Sequence, residues 1–387
     1  MFELNDSNIN EFAHVKVVGV GGGGGNSLNR LIKMGLKDAA FIAINTDAQA
    51  LLKSTASTKV QIGEKVTRGL GTGSNSIIGE MAAKESREDI IEALGQPDMV
   101  FVIAGLGGGT GSGAAPVVAS YAKNDIGALT VAIVTVPFSF EGTRRKQRAE
   151  ESIAKLKEYA DAVIVIYNDR TLTEEKKKEY DQKPNFEVVD VLIAQAIQSI
   201  VNLIGEPGLI NLDFADVKLI LKNAGTSAIG VGVGIGEKAA MEAAEEAASF
   251  PLFDEKIKDA KSILINITGS EEKLSMFKIN EAVEVIQKMT DGNCNILWGA
   301  TVNNDLGDTV KAIVIASGFD TLKEPDFAMK DVKLSDHERE IYKQIIDEGV
   351  KRMHNPATTV AECIELMREL RITLKEMRDG NNDIDEW

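Results

Sequence analysis

The first half of the chain contains five short apolar runs, each followed by a turn and then a helix-length segment. The runs are Val15–Val20, Ala40–Ile44, Met99–Ala104, Leu129–Val136 and Ala162–Tyr167. Their residues are almost continuously apolar, which is typical of strands buried on both faces of a parallel sheet. Helical spacing is found at Asn26–Met34, Ser76–Leu94, Ala115–Lys123 and Arg148–Ala160. The series predicts a doubly wound α/β domain over residues 14–185.

The second half predicts a different architecture. Phe186–Ile204 is apolar on nearly all sides, so residues 186–205 are predicted to form a long central helix buried between two domains. Residues 206–223 would form a loop and a following helix, and residues 224–319 a smaller α+β domain. Its predicted elements are strands Ser227–Val233, Ser262–Ile267, Asn295–Val302 and Thr309–Ala316, and helices Glu237–Ala248 and Glu272–Thr290.

Residues 1–13 are predicted to be a flexible arm and residues 320–387 a helical tail. In the tail, a capping box at Ser335 and the pair Asn355-Pro356 each mark a helix start. They predict a hairpin of helices Asp336–Met353 and Ala357–Arg378, packed on itself or on the smaller domain. The alternative is that the apolar stripe of the second helix pairs with another chain.

The composition limits the functions that are open to this chain. Its 387 residues exceed one ordinary domain of about 150 residues. Lys and Arg total 43 against 59 Asp and Glu, a net charge of −16, which argues against nucleic acid or an anionic membrane as a partner. Two cysteines cannot form a disulfide framework, and no apolar run approaches the roughly 20 residues of a membrane span. The chain is therefore predicted to be cytoplasmic, without direct membrane insertion.

Two glycine-rich segments follow predicted strands. Gly19–Gly25 alone would suit a dinucleotide-binding domain, with Asp47 as the ribose-binding acid. The second segment, Gly105–Gly113, offers consecutive backbone amides and the hydroxyls of Thr110 and Ser112 to an anion. Two such segments at one sheet edge favour a nucleoside triphosphate over NAD. Since G-K-[ST] is absent, the phosphates would be held by amides and a bound metal rather than by a P-loop lysine.

Four motifs resemble a known family. Gly107–Gly113 resembles the signature of the tubulin/FtsZ family, and Asn45–Ala50, Val136–Gly142 and Asn211–Asp216 resemble the FtsZ proteins, the prokaryotic cell-division GTPases. The similarity extends from Val15 to Phe319, about four-fifths of the chain. It implies a protein that binds GTP or GDP with Mg²⁺, hydrolyses GTP, and polymerises head to tail with itself in a division ring at midcell.

The resemblance also implies a role for individual residues. The phosphates would be bound by Gly21, Gly22, Gly23, Gly24, Gly25, Gly107, Gly108, Gly109, Thr110, Gly111, Ser112 and Gly113, with Gly71, Thr72 and Gly73 near the γ-phosphate. Pro137, Glu141 and Arg145 would lie by the ribose, Asn168 and Asp190 would bind the base, and Phe186 would stack on it. Asp47 would lie near the magnesium, through water.

Each of these roles has a structural alternative. Glu141 and Arg145 could instead form a surface ion pair four residues apart on a helix. Phe186 could be a core residue at a helix start, and Asn26 could be either a helix N-cap or a base contact. For Asp190 the chemistry is more specific, because guanine offers N–H donors at N1 and N2 that suit a carboxylate acceptor.

The resemblance places the catalytic residues Asn211, Asp213 and Asp216 after the long helix. About 19 residues at 1.5 Å each would hold this loop roughly 28 Å from the glycine segments. At that distance the acids would not reach the subunit's own nucleotide, and the resemblance implies that their loop enters the pocket of the next subunit. A contact of this kind that does not close gives an open filament. The alternative is that they cap the following helix.

Two other functions compete with a filament-forming GTPase. A nucleotide-binding protein that does not hydrolyse is disfavoured because Asp213 and Asp216 are both present. An NAD-dependent oxidoreductase is disfavoured by the second glycine segment and by the lack of a catalytic His or Lys constellation. Membrane-anchoring or division proteins are candidate partners, although the docking peptide that usually ends this family is not recognisable in Asp383–Trp387.

The predicted tail hairpin can be tested by limited proteolysis. Ordered helices should resist cleavage between Ser335 and Arg378, so early cuts should fall in the last few residues. Mass spectrometry of the first fragments makes the measurement. Early cleavage throughout Ser335–Arg378 would contradict the hairpin. Deletion of Ser335–Trp387 should leave GTP binding intact, because no predicted binding residue lies there.

Overall fold

A computed structural model describes residues 13–36, 39–171, 186–205, 209–210, 212–249, 257–290, 292 and 294–319. The predicted arm up to residue 12, Asn211 and the predicted tail hairpin lie outside the described residues.

The described strands form one ten-stranded sheet. They are β1 Val15–Val20, β2 Ala39–Asn45, β3 Thr58–Gln61, β4 Met99–Gly105, β5 Leu129–Val136, β6 Ala162–Tyr167, β7 Gly225–Ile235, β8 Ser262–Gly269, β9 Asn295–Val302 and β10 Thr309–Ser317. The order across the sheet is β3-β2-β1-β4-β5-β6-β7-β10-β8-β9. β10 is antiparallel to both of its neighbours, whereas every other described pair of neighbours is parallel.

This strand order confirms the predicted doubly wound α/β fold. From β1 the chain builds the sheet outward to β3, then returns to the other side of β1 and adds β4, β5 and β6. The direction of winding therefore reverses between β1 and β4. In open α/β sheets, a ligand crevice forms at the carboxyl ends of the strands on either side of such a reversal.

Helices cover both faces of the sheet. They are α1 Gly21–Lys33, α2 Ala48–Lys53, α3 Glu64–Thr67, α4 Ser76–Glu85, α5 Arg87–Leu94, α6 Thr110–Ser120, α7 Thr143–Tyr159, α8 Phe186–Gly205, α9 Phe214–Leu221, α10 Ala239–Ala248 and α11 Met276–Met289. A π-helical turn, Tyr121–Ile126, extends α6. Within the described ranges, no helix has the length and apolar character needed to cross a membrane.

Two helices begin earlier than the sequence predicts, because their glycines are helical. α1 starts at Gly21 with Val20 at the N-cap position, so the prediction that Asn26 opens this helix is wrong. α6 starts at Thr110 rather than near Ala115. Glycine is a poor helix former, but here packing overrides propensity. A Cβ on Gly24 would lie 2.3 Å from the Ile103 carbonyl oxygen, so only glycine lets α1 pack this close to β4.

Short elements and one helix break also differ from the prediction. β3, α2 and α3 have four to six residues and were not predicted from the sequence. The segment predicted as one helix, Ser76–Leu94, is divided into α4 and α5 at Ser86. The Ser86 hydroxyl oxygen accepts a hydrogen bond from the Gly63 amide at 3.1 Å. A long-range contact therefore stabilises the break, and the local sequence pattern does not reveal it.

The long helix α8 packs along much of one face of the sheet. Ile193, Ile197 and Ile200 on α8 are fully buried, and they share one apolar cluster with Val131 of β5 and Leu264 of β8. The same cluster therefore contains residues from the parallel half and from the β7–β10 half of the sheet. Such a helix is a rigid spacer, since bending it would open the core along its length.

A buried carboxylate lies where the two halves of the sheet meet. β6 pairs with β7 only through Ala162–Ile164 and Gly225–Ser227. Just before β6, the Asp161 carboxylate accepts from the Thr130 amide at 2.9 Å and from the Asn223 amide at 3.4 Å. The Lys123 ammonium lies 3.1 Å from the same carboxylate. Asp161 therefore ties the π-helical turn, β5 and the segment entering β7 to one another.

Replacing Asp161 should weaken this connection strongly. Asp161→Ala removes a nearly buried acceptor and leaves Lys123 and the Thr130 amide without it, so we expect a loss of about 2–4 kcal/mol in the free energy of unfolding. Urea denaturation measures the change. Asp125→Ala is the control, because the Asp125–Arg87 pair is more exposed and should contribute at most about 1 kcal/mol. Equal effects of the two variants would contradict this role of Asp161.

Candidate functional site

The segments with functional motifs all follow the carboxyl ends of parallel strands. They are Gly21–Gly25 after β1, Thr46-Asp47 after β2, Leu106–Gly113 after β4, Pro137–Glu141 after β5 and Asn168 after β6. They therefore lie at one edge of the sheet. The two glycine segments flank the reversal between β1 and β4, where the fold favours a ligand crevice.

The two glycine segments contact each other directly. Gly21 has a positive φ of 73°, and a Cβ there would lie 2.9 Å from the Gly111 amide nitrogen. A Cβ on Gly23 would lie 3.0 Å from the Cα of Gly105. The first turns of α1 and α6 therefore meet at the carboxyl edge. First-turn amides have no partner within a helix, and they are suited to bind phosphate oxygens.

The glycines of this edge fall into two groups. In the first group a Cβ would collide with neighbouring backbone or with the side chains of Thr72 or Pro137; its members are Gly21, Gly23, Gly24, Gly107, Gly109, Gly111 and Gly113. In the second group a Cβ would meet nothing within 4 Å; its members are Gly22, Gly25, Gly71, Gly73 and Gly108. The first group allows the elements to pack closely, and the second has open space beside the backbone; we call this open part of the edge the cradle.

Three threonine hydroxyls join the loops around this cradle. The Thr110 hydroxyl lies 2.7 Å from that of Thr46 and 3.5 Å from that of Thr72. All three residues are buried. The loop predicted to lie near a γ-phosphate is thus held against the start of α6. Thr46 was not among the predicted binding residues, although it lies inside the motif Asn45–Ala50.

The residues predicted beside the ribose are paired with each other. Arg145 Nη1 lies 2.5 Å from Glu141 Oε2, and Glu141 Oε1 accepts from the Phe138 amide at 3.0 Å. The ion pair that was the structural alternative is therefore present. Pro137 packs against Gly107, where a Cβ would approach the Pro137 ring to 2.8 Å. Contacts of these residues with a ribose stay a prediction.

Asp190, which is predicted to bind the base, faces α1 from α8. Its carboxylate accepts from the Ser27 hydroxyl at 2.5 Å and lies 3.4 Å from Arg30 Nε. Asn168 is buried at the end of β6, and Asn26 is exposed on α1. Phe186 is the first residue of α8, and its side chain lies outside the described part of the chain. Ser27 and Arg30 were not predicted as site residues, because their partner is far away along the chain.

Asp47 is the N-cap of α2. Its Oδ1 accepts from the amides of Gln49 at 2.9 Å and Ala50 at 3.1 Å. Across the described part of the chain, no three His, Cys, Asp or Glu side chains cluster so that they could hold a metal ion. A single carboxylate such as that of Asp47 fits Mg²⁺ bound together with a nucleotide, because Mg²⁺ then takes most of its ligands from phosphate oxygens and waters and only one or two from carboxylates.

Asp213 and Asp216 lie beyond the far end of α8. This helix has 20 residues and is therefore about 30 Å long, and Asp190 near its start contacts α1. Asp213 occupies the N-cap position of α9, but its carboxylate accepts no capping bond from the described first-turn amides. Ile210 pairs with Ala300 of β9, which anchors the intervening loop in the second half of the sheet. The acids and the cradle are thus at separate places in one subunit.

The fold and the cradle define a nucleotide-binding α/β protein with its site at the reversal of the sheet. Residues 14–174 match the GTPase domain of the Tubulin/FtsZ family, and residues 225–320 match the C-terminal domain of the FtsZ family. The empty FtsZ dimer of M. jannaschii is 43% identical over 80% of this chain and 89% of that chain, with a TM-score of 0.74. The chain belongs to the FtsZ family, as its motifs predict, and it is a GTPase that binds GTP and GDP.

Two further solved structures resemble this chain. A tryptophan-to-tyrosine mutant of M. jannaschii FtsZ is 43% identical over 79% of this chain and 91% of that chain, with a TM-score of 0.73. CetZ2 of Haloferax volcanii, solved as a GTPγS-bound protofilament, is 22% identical over 78% of this chain and 92% of that chain, with a TM-score of 0.68. At that identity, CetZ2 shares the fold alone.

The two groups of glycines can be separated by experiment. Gly22→Ala should leave the fold stable, because the position is helical, exposed and open. It should weaken GTP binding, because Gly22 is predicted to bind the phosphates and the new methyl group would occupy the open space beside its backbone. Gly24→Ala should instead destabilise the fold by about 1–3 kcal/mol, because its Cβ would overlap the Ile103 carbonyl. Thermal unfolding without nucleotide and a GTP titration measure both effects. Wild-type affinity in Gly22→Ala would contradict the cradle.

Proposed function

We propose that this chain is a cytoskeletal GTPase subunit that assembles head to tail, and that its active site is completed by the neighbouring subunit. The observation that carries the proposal is the separation of the nucleotide cradle from Asp213 and Asp216 by the length of α8. A carboxylate at that distance cannot act on the subunit's own nucleotide. Head-to-tail stacking would bring the acids of one subunit to the cradle of the next.

Exposed apolar side chains support this type of contact. At the nucleotide edge, Leu70, Ile77 and Phe140 are more than half exposed. Leu209 and Leu219, which flank the acids in the sequence, are exposed as well. A contact between two different surfaces of the same protein does not close on itself unless a ring forms, so it produces an open filament. Self-association is also found in the dimer of M. jannaschii FtsZ and in the protofilament of CetZ2.

Hydrolysis in such a composite site divides the work between two subunits. The cradle subunit would hold the phosphates through the amides of α1 and α6, with Glu141 and Arg145 by the ribose. The acid subunit would supply Asn211, Asp213 and Asp216, which would orient and polarise the attacking water. Amide dipoles aimed at the phosphates stabilise the charge that develops during transfer. When bound, Mg²⁺ would neutralise phosphate charge. Phosphate oxygens and waters would hold it, and Asp47 is the one residue of the cradle subunit assigned to it.

The cellular part of the proposal follows the family. We place the protein in the cytoplasm, in a ring at midcell, with membrane-anchoring or division proteins as further partners. The matches at residues 14–174 and 225–320 support the proposed division into a GTP-binding part and a smaller α+β part. The alternative is a filament with a task other than division.

The shared site predicts complementation between two defective variants. Asp213→Ala should bind GTP with unchanged affinity but hydrolyse almost none, and Asp190→Ala should bind GTP weakly while keeping its acids intact. In an equal mixture, about one interface in four would pair a working cradle with a working acid loop. Phosphate release should therefore be higher in the mixture than in either variant alone, as measured with a coupled assay. A mixture that releases no more phosphate than the two variants measured separately would contradict the shared site.

Turnover by the wild type should depend on protein concentration. Its specific activity should rise steeply as subunits associate and should fall towards zero in dilute solution, measured alongside light scattering. Constant specific activity across the dilution series would rule out a site that requires two subunits.

Nucleotide choice is a separate prediction. Since Asp190 can accept from the N1–H and N2–H₂ donors of guanine, GTP and GDP should bind much more tightly than ATP and ADP. Asp190→Ala should cost about 1–3 kcal/mol of GTP binding, because it leaves those donors unpaired. Competition titrations against a fluorescent GDP measure both. Equal affinity for ADP and GDP would remove Asp190 as the base-selecting residue.

A further inference from the structure

The Asp190 carboxylate is held from the neighbouring helix at both of its oxygens. Oδ1 accepts from the Ser27 hydroxyl at 2.5 Å, and Oδ2 lies 3.4 Å from Arg30 Nε. Ser27 and Arg30 are three residues apart on α1, so they project from the same side of that helix. The Asp190 side chain is only 14% exposed, which limits screening of its interaction with Arg30 by water.

The Ser27 hydroxyl has one proton and two candidate acceptors. The Gly23 carbonyl oxygen lies 3.3 Å away, and the Asp190 carboxylate lies 2.5 Å away. The shorter contact has a charged acceptor, so the proton is donated to Asp190. A carboxylate offers about four acceptor positions, and bonds from α1 are therefore compatible with bonds from a guanine edge.

We propose that Ser27 and Arg30 are positioning residues for guanine selection, an inference that rests on the proposed role of Asp190 in base binding. Guanine presents two parallel N–H donors, and a carboxylate meets both only when its plane is aligned with the base. An aspartate at the start of a helix samples several rotamers. Anchoring each oxygen from α1 selects one rotamer before the nucleotide arrives, so the entropic cost of ordering the side chain is not part of binding.

The alternative is that the same contacts only join α1 to α8. Both explanations predict a less stable fold when the contacts are removed. They differ in base discrimination, because a purely structural role would change the affinities for different bases by the same factor. The informative quantity is therefore the ratio of two affinities, GDP over IDP. Hypoxanthine, the base of IDP, lacks the 2-amino group of guanine and is otherwise identical to it.

The experiment compares Ser27→Ala and Arg30→Gln with the wild type in the full-length chain. Diphosphates are used so that hydrolysis does not alter the ligand. We expect the GDP-over-IDP ratio to fall roughly three- to tenfold in each variant, the equivalent of one net hydrogen bond. Arg30→Lys should recover part of the ratio. Lys33→Gln, which removes an exposed cation from the same helix, should leave it unchanged. An unchanged ratio in Ser27→Ala and Arg30→Gln overturns the inference, whatever happens to stability.

A second variant separates this inference from the proposal on which it rests. Asp190→Asn exchanges an acceptor for a donor, so it should favour XDP, whose base has a carbonyl group at position 2. If Asp190→Asn gains no preference for XDP over GDP, Asp190 does not bind the base, and both the base assignment and the inference fail. If the preference switches while Ser27→Ala and Arg30→Gln keep the wild-type ratio, the inference alone fails.

Discussion

Glycine is required where α1 and α6 begin, because these helices start against the backbone of neighbouring elements. The hypothetical Cβ of Gly24 lies 2.3 Å from the Ile103 carbonyl, and that of Gly111 lies 2.4 Å from the Gly105 carbonyl. Any side chain would push the helix start away from the sheet. The two first turns would then separate, and their amides would no longer face one crevice. Close packing and the predicted anion site thus depend on one steric constraint.

Much of this fold could be predicted from the sequence, since parallel strands buried on both faces are continuous apolar runs. β1, β5, β6 and β9 have the predicted bounds, and the segments after the parallel strands were correctly expected at one edge. The starts of α1 and α6 were not predicted correctly, because helix propensity disfavours glycine and the packing that overrides this propensity is non-local. β3, α2 and α3 are too short to show a period.

The side-chain partners within the site were the least predictable part. Ser27 and Asp190 are 163 residues apart in the sequence, and Thr46 and Thr110 are 64 apart. No local pattern links such residues, and both pairs depend on how helices and loops converge at the sheet edge. The Glu141–Arg145 pair was the one partner choice that the sequence offered, because only four residues separate the two side chains, although Glu141 lies in the turn before α7 and only Arg145 lies on the helix.

The continuous helix α8 has a consequence for how such a chain can change in evolution. In the proposed assembly it sets the distance between the pocket of one subunit and the acids offered to the next. One inserted residue would lengthen it by about 1.5 Å and turn everything beyond it by about 100°. Surface loops tolerate insertions, but a change in this helix would misalign two subunits at every contact of a filament. In the proposed polymer, the length of α8 would therefore set the geometry of every subunit contact, although it is encoded in a single subunit.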